Sequence, residues 1–366
     1  IEDNLKTLNV LNSNFKLNFN IKELKKFKKY NNIVIIGMGG SILGSEAIHD
    51  FFKEKIKKNI YFVNNIDETK LFEIKKKINF KNTLFIVISK SGNTIETIAN
   101  FLYLKILKKN LKNILIISEK KDNFLYKLSE KNELYYLEHN SNIGGRYSVL
   151  SAVGLVPAYL MGINIFNLRK NIKKFFNHNA NQILKESSIK LAYFLKYKKY
   201  PNLIFLNYSS HLEKFLLWLQ QLIAESLGKN KLGFLPVVSN APKDHHSLLQ
   251  LYLDGPKDKL FYIFNSEEKS KIKLDVKKFT KKFDFIHKKN LNKIKFSQKN
   301  ALISSFKRNK TPFREIVIKD NREETLGELF SYFIVETVVI GKLVGINPFD
   351  QPSVEQVKRL TKKILS

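Results

Sequence analysis

Apolar residues fall along this chain in two alternating rhythms. Short β-branched blocks at 31–37 (NNIVIIG), 61–65 (YFVNN), 83–89 (TLFIVIS) and 113–118 (NILIIS) read as strands covered on both faces. Between them, at 42–53, 68–78 and 94–108, apolar positions recur every three or four residues, the period of a helix with one face buried. Strands alternating with helices predict a doubly wound parallel sheet. After the Gly144–Gly145–Arg146 turn come an apolar helix at 149–161 and a weaker helical connector at 167–198. A second strand–helix unit follows, with a strand at 202–208, a helix at 213–227 ending at Gly228, and a further strand at 260–264. Residues 266–310 are lysine-rich, weakly patterned and expected to be peripheral. A long helix at 325–344, a turn at Asn347–Pro348 and a last helix at 352–365 close the chain. The pattern predicts an α/β protein of two subdomains, each a mainly parallel sheet flanked by helices, with a helical C-terminal tail. The expected divisions are a helical lead-in at 1–30, subdomains at 31–165 and 166–324, and the tail at 325–366.

Composition narrows this picture mainly by exclusion. With 366 residues, 43% hydrophobic and 27% charged, the chain can bury a sizeable core. It has no cysteine, which removes disulfides and thiolate metal sites and fits a cytoplasmic protein. It opens on Ile1, and the opening residues carry no cationic segment leading into an apolar one, so no signal peptide is expected. The longest apolar tract, 326–346, contains Glu328, Glu336 and Lys342, and reads as a buried amphipathic helix rather than a membrane span. The formal net charge of +31 points at first to nucleic acid. Yet only six of the 64 cationic residues are Arg, the side chain whose planar fork serves nucleic-acid recognition. With Asn, Ile, Phe and Tyr also abundant, the lysines are better read as a coding bias spread over a solvated surface. Neither a nucleic-acid nor a membrane partner is expected.

Three loops carry candidate chemistry. Gly37-Met38-Gly39-Gly40-Ser41 lies between a strand and a helix, where glycines allow close backbone approach and a helix start offers free N–H groups. It fits neither the dinucleotide fingerprint nor a Walker loop, and alone it says little. The stretch from Ser89 to Thr97, Ser89-Lys90-Ser91-Gly92-Asn93-Thr94-Ile95-Glu96-Thr97, says more. Three hydroxyls, an ammonium and a fresh helix start converge at the carboxyl edge of a parallel sheet, where open α/β folds bind ligands. A phosphate monoester needs such donors. For one hydroxyl alone, helix capping is the better reading; for the cluster, phosphate is. Arg146, opening an apolar helix in an arginine-poor chain, suits an anion. On the helix before Gly228, Gln221 and Glu225 are four apart and share a face. The apolar neighbours of Glu225 are expected to raise its carboxyl pKa towards general-base duty. His245 and His246 are adjacent, so they diverge and do not chelate; either can serve acid–base chemistry. Gln351 and Lys358 are seven apart, about two helical turns, and are expected on one side. No histidine has metal-site spacing, and no metal is expected.

Taken in order, GMGGSILG, SKSGNTIET, GGRYS, AESLGK, HSLLQ and NPFDQPSVEQVK resemble the glucose-6-phosphate isomerase family, over about residues 33–366. The resemblance implies two sugar-isomerase-type subdomains and cofactor-free interconversion of glucose 6-phosphate and fructose 6-phosphate. It implies phosphate binding by Ser89, Lys90, Ser91 and Thr94, with Gly40 and Ser41 lining the sugar and Gln221 and Gln351 touching the ligand. It further implies that Glu225 is the base moving a proton between C2 and C1, that Arg146 stabilises the enediolate, and that His246 with Lys358 assists ring opening. The family's homodimers place the histidine in the neighbouring subunit's site, which implies the same for His246. The chain is short for the family, with Met38 in place of another aliphatic residue and His245 replacing the usual residue before the histidine.

Two other readings belong beside this one: an isomerase that also accepts mannose 6-phosphate, and a non-catalytic sugar-phosphate regulator. The regulator should lack the Glu–His–Lys set and carry a helix-turn-helix segment. A glutamine-dependent aminotransferase would need a nucleophilic cysteine, and the chain has none.

Overall fold

The structure, a computed structural model, describes residues 6–12, 14–108, 112–176, 181–267, 270–276 and 281–366. Parts of the expected lead-in, connector and peripheral stretch therefore lie outside the described residues. The first sheet is five-stranded and parallel throughout, in the order β2-β1-β3-β4-β5. Its strands are β1 (Asn32–Ile36), β2 (Asn59–Val63), β3 (Thr83–Ile88), β4 (Ile114–Ser118) and β5 (Tyr135–Glu138). The second sheet is four-stranded and also parallel, in the order β7-β6-β8-β9. It comprises β6 (Asn202–Asn207), β7 (Leu235–Asn240), β8 (Lys259–Ser266) and β9 (Phe313–Ile318). The expected α/β class, with two parallel sheets flanked by helices, is the observed one.

The main helices are α1 (Leu43–Phe51), α2 (Ile95–Tyr103), α3 (Ala152–Met161), α4 (Gln182–Lys196), α5 (Glu213–Leu227), α6 (Leu291–Arg308), α7 (Glu323–Leu343) and α8 (Pro352–Leu365). The two sheets share one core. Ile33 and Ile35 of β1, Phe205 of β6, Tyr262 of β8, Trp218 of α5 and Phe330 of α7 belong to a single buried cluster. Helix α5 packs against α1 on one side and α7 on the other, so it is the seam between the halves. Buried aromatics fill that seam: Trp218 meets Phe330 edge-on with centroids 4.7 Å apart. Such a pair adds about 0.5–1.5 kcal/mol to plain area burial.

Several expectations need correction. In the lead-in, a 3₁₀ turn at Lys6–Leu11 and short helical turns at Ile21–Leu24 and Lys25–Phe27 are not polar throughout but bury Val10, Leu11, Leu24 and Phe27. The stretch at 266–310 is not all peripheral. Helix α6 lies within it, buries Leu302 and Phe306, and sets Phe306 4.5 Å from Phe261 of β8. The helix expected from 149 begins at Ala152, after a 3₁₀ turn at Gly145–Leu150. Tract 326–346 is amphipathic as expected: Glu336 is buried but paired with Arg314 at 2.7 Å, while Lys342 is exposed. Among the described residues no helix is long and apolar enough to cross a membrane.

Candidate active site

The chain leaves β1, builds β2 on one side, then returns to lay β3 on the other. The carboxyl edge between β1 and β3 is therefore a topological switch point, where open parallel sheets form a crevice. The Gly37–Ser41 loop follows β1 and the hydroxyl-rich loop follows β3, so the topology sets the two side by side. The third loop arrives from β5. A side chain at Gly40 would place its Cβ 2.2 Å from the carbonyl carbon of Gly145, so the backbones of the first and third loops touch and only glycine fits there.

In the second loop, Ser89 Oγ and Thr94 Oγ1 lie 2.9 Å apart, and Ser91 Oγ is 3.4 Å from Thr94 Oγ1. Thr94 is the N-cap residue of α2 by position, yet its side chain makes no capping hydrogen bond. The hydroxyls face one another instead of the helix, as a donor cluster awaiting an acceptor would. Gly92 adopts φ +63°, and a Cβ there would strike Asn123, whose side chain caps the helix at Phe124–Lys131. Lys90 departs from the expected picture. Its ammonium donates to the Ser141 carbonyl at 2.8 Å and lies 3.8 Å from Glu119, and burial pushes its pKa down. Thr97, in the first turn of α2 and at the end of the hydroxyl-rich stretch, has a buried hydroxyl with no hydrogen-bond partner.

Arg146 is the centre of the third loop. Its side chain is only 2% exposed, although it carries a permanent charge. Its Nη1 lies 3.3 Å from Glu225 Oε1 and donates to Gln351 Oε1 at 2.8 Å. Its Nη2 donates to the carbonyls of Pro348 at 2.6 Å and Asp350 at 3.0 Å, and its Nε donates to Ser226 Oγ at 2.8 Å. The carboxylate it faces is on the last turn of α5, where Gln221 Nε2 donates to Glu225 Oε2 at 3.0 Å. Gln221 Oε1 is buried with no partner, an open acceptor on the wall of the site. The expected apolar setting of Glu225 is not what the fold provides. Leu222 and Ile223 turn into the core, while the two Glu225 oxygens face an arginine and a glutamine.

Arg146, Gln221, Glu225 and Gln351 are thus gathered, with Gly40 beside them and Ser41 buried next to it. His246 and Lys358 are not. His246 is exposed on a short turn after β7, beside His245, whose Nε2 is 2.7 Å from the Tyr208 hydroxyl. Lys358 pairs with Glu355 at 2.6 Å on α8, where no residue is buried, and has no contact with the Arg146–Glu225 group. Sequence reading also passed over Tyr147 and Ser226. Among the described residues, no group of three or more His, Asp or Glu side chains is arranged to hold a metal ion.

A carboxylate beside a fixed guanidinium, next to a hydroxyl cluster, can move a proton at one end of a phosphorylated ligand held at the other. Residues 20–233 match the family described as phosphoglucose isomerase. A probable glucose-6-phosphate isomerase of Methanococcus maripaludis is 34% identical over 98% of this chain and 84% of its own length. The crystal structure of a hypothetical protein from Thermus thermophilus superposes with a TM-score of 0.86 at 25% identity, covering 100% of this chain and 91% of that one. That of a glucose-6-phosphate isomerase from Chlamydia trachomatis gives 0.80 at 20% identity, covering 98% and 72%.

Proposed function

The chain belongs to the phosphoglucose isomerase family, and on that premise we propose that the Arg146–Glu225 pair, with Gln221 and Gln351, is its proton-transfer centre. The activity is the reversible isomerisation of glucose 6-phosphate and fructose 6-phosphate, and the substrate is a sugar phosphate. In the proposed mechanism the Glu225 carboxylate takes the C2 proton of the open-chain aldose. The electrons of that C–H bond form the C1=C2 enediolate, whose negative oxygen faces Arg146. The hydrogen of the O2 hydroxyl passes to O1, and the electrons left on O2 form the C2 carbonyl as Glu225 returns its proton to C1. Ser89, Ser91 and Thr94 hold the phosphate, Lys90 adds charge once it exchanges Glu119 for the ligand, and Gly40 and Ser41 line the sugar. No metal or other cofactor takes part.

His246 and Lys358 assist ring opening in this proposal, and His246 comes from the partner of a homodimer. The topology supports this. Helix α5 runs from the carboxyl edge of β6 back to the amino edge of β7, and Glu225 is on its last turn. His246 follows the far end of β7. The two are therefore separated by the length of a six-residue strand, about 20 Å, within one chain. Helix α8 supports it too. Val354, Val357, Leu360, Ile364 and Leu365 are 43–83% exposed along one side of the helix, with Lys358 at the rim of that stripe. A second copy would cover it. The divisions at 1–30, 31–165, 166–324 and 325–366, and a cytoplasmic setting, complete the proposal.

The single observation that carries the mechanism is the 3.3 Å approach of Arg146 to Glu225, on a helix turn shared with Gln221. A coupled assay on fructose 6-phosphate, run with chelator present, tests it. Wild-type protein should turn over. Glu225→Gln should lose about 10²–10⁴-fold in kcat, the usual contribution of a positioned general base, while still binding a non-reacting hexitol 6-phosphate. Turnover of the variant at the wild-type rate removes Glu225 from the mechanism.

A further inference from the structure

A guanidinium has five N–H groups, and at Arg146 four are committed to hydrogen bonds: one to Ser226, one to Gln351, and two to the carbonyls of Pro348 and Asp350. The fifth is on Nη1, the nitrogen 3.3 Å from Glu225. Only Nη1 is therefore positioned to meet a developing oxyanion, and the other two nitrogens serve to aim it.

The Nε anchor continues into a directed chain. Tyr147 donates its one hydroxyl hydrogen to the Pro348 carbonyl at 2.8 Å. In the 2.8 Å contact between Tyr147 Oη and Ser226 Oγ, the hydrogen must then come from Ser226. Ser226 in turn accepts from Arg146 Nε. The sequence Arg146 Nε–H to Ser226, Ser226 to Tyr147, Tyr147 to Pro348 has one allowed direction, and it closes on a carbonyl that also holds Arg146 Nη2 at 2.6 Å. Every hydrogen-bonding member is buried: Ser226 and Tyr147 are 0% exposed. Burial also raises the Tyr147 pKa, so its hydroxyl keeps its hydrogen at working pH.

We infer that Ser226 and Tyr147 are positioning residues for the isomerisation, fixing the guanidinium so that Nη1 meets the enediolate. This rests on the proposed roles of Arg146 and Glu225. It differs from a merely structural role because preorganised donors act on charge that appears in the transition state, and less on the ground state. Loss of Ser226 leaves Nε without its acceptor and frees the guanidinium to turn.

The test compares two ligands on purified full-length protein. One is a hexitol 6-phosphate, which shares the phosphate and hydroxyls but has no enediolate character. The other is the hydroxamate of a five-carbon sugar-acid phosphate, a planar, anionic mimic of the enediolate. In Ser226→Ala the hydroxamate should weaken by about tenfold or more, the worth of a hydrogen bond to a charged group, with kcat falling in parallel. The hexitol phosphate should change by no more than about twofold. Tyr147→Phe breaks the same chain one link later and keeps the inference testable should Ser226→Ala fail to fold. It should shift the same ratio less, and the double variant should be no worse than Ser226→Ala, because both act on one chain. Equal weakening of both ligands, or of neither, in the folded variants overturns the positioning role while leaving the isomerase reading intact. A wild-type protein that does not prefer the hydroxamate removes the isomerase mechanism, and this inference with it.

Discussion

Two halves of the proposed site are built in opposite ways. Arg146, Gln221, Glu225 and Gln351 are tied together by hydrogen bonds between residues as far as 205 positions apart, around a guanidinium almost wholly shielded from water. His246 stands exposed on a turn, and Lys358 stands exposed on a helix, where it pairs with its near neighbour Glu355. The first half is an intrachain construction in which Arg146 is held by four hydrogen bonds, leaving one N–H on Nη1 and the Gln221 Oε1 acceptor open. The second half has its chemistry on display at the surface. Burying a charge is tolerable only when every donor finds an acceptor, so the inner half must be assembled by folding itself. The outer half carries no such constraint and is free to be completed by association.

The contrast makes stability and activity separable. Arg146→Ala should lose activity and also about 3–5 kcal/mol of stability, as expected when the buried partner of an ion pair, itself held by four hydrogen bonds, is removed. Denaturant unfolding followed by Trp218 fluorescence would measure it. A stable, inactive Arg146→Ala would mean that the guanidinium does not hold the loops together.

Acid should loosen the first subdomain's fold next. His139, at the end of β5, is 1% exposed, and burial pushes its pKa down to about 4. The unfolded chain takes up that proton near the ordinary value of 6.5, while the folded chain refuses it until about pH 4. Its contribution to stability is therefore complete above pH 6.5 and is lost as pH falls towards 4, on the order of 2 kcal/mol by pH 5. His49, half-buried with a lowered pKa, adds to the same slope. A melting-temperature series from pH 7.5 to 5 should show a shallower fall in His139→Gln than in wild type. Parallel slopes would mean that His139 takes no part in the acid response. At the bottom of the scale, His246→Ala should impair catalysis yet change stability by no more than about 0.5 kcal/mol, as for other exposed substitutions. A large loss of stability there would place His246 inside the fold of its own chain.

What the sequence revealed of the fold follows the same division between inside and edge. The central strands β1, β3, β4, β6 and β8 are covered on both faces, and all read plainly as apolar runs. The strands it missed, β5 (YYLE), β7 (LPVVSN) and β9 (FREIVI), are all sheet edges, half-covered and mixed in polarity. The fourth edge, β2, was expected two residues late for the same reason. Helix α6 was hidden because its one buried face is interrupted by lysines. In the site, the loops were legible because glycines and hydroxyls must be contiguous to cradle a ligand. The anchoring of Arg146 was not, because Ser226 and the carbonyls of Pro348 and Asp350 are ordinary groups, made specific only by folding.

The most direct test of the two-half account mixes two inactive proteins. Glu225→Gln and His246→Ala should each be nearly inactive alone. If a site pairs Glu225 of one chain with His246 of the other, a dimer holding one copy of each variant regains one intact site and loses both functions at the second. Random reassortment after mild dissociation should then restore about a quarter of wild-type activity, since half the dimers are mixed and each has one working site. Recovery to that level is the predicted result. A mixture that stays as inactive as its components, with mixed dimers verified by mass, would contradict the account.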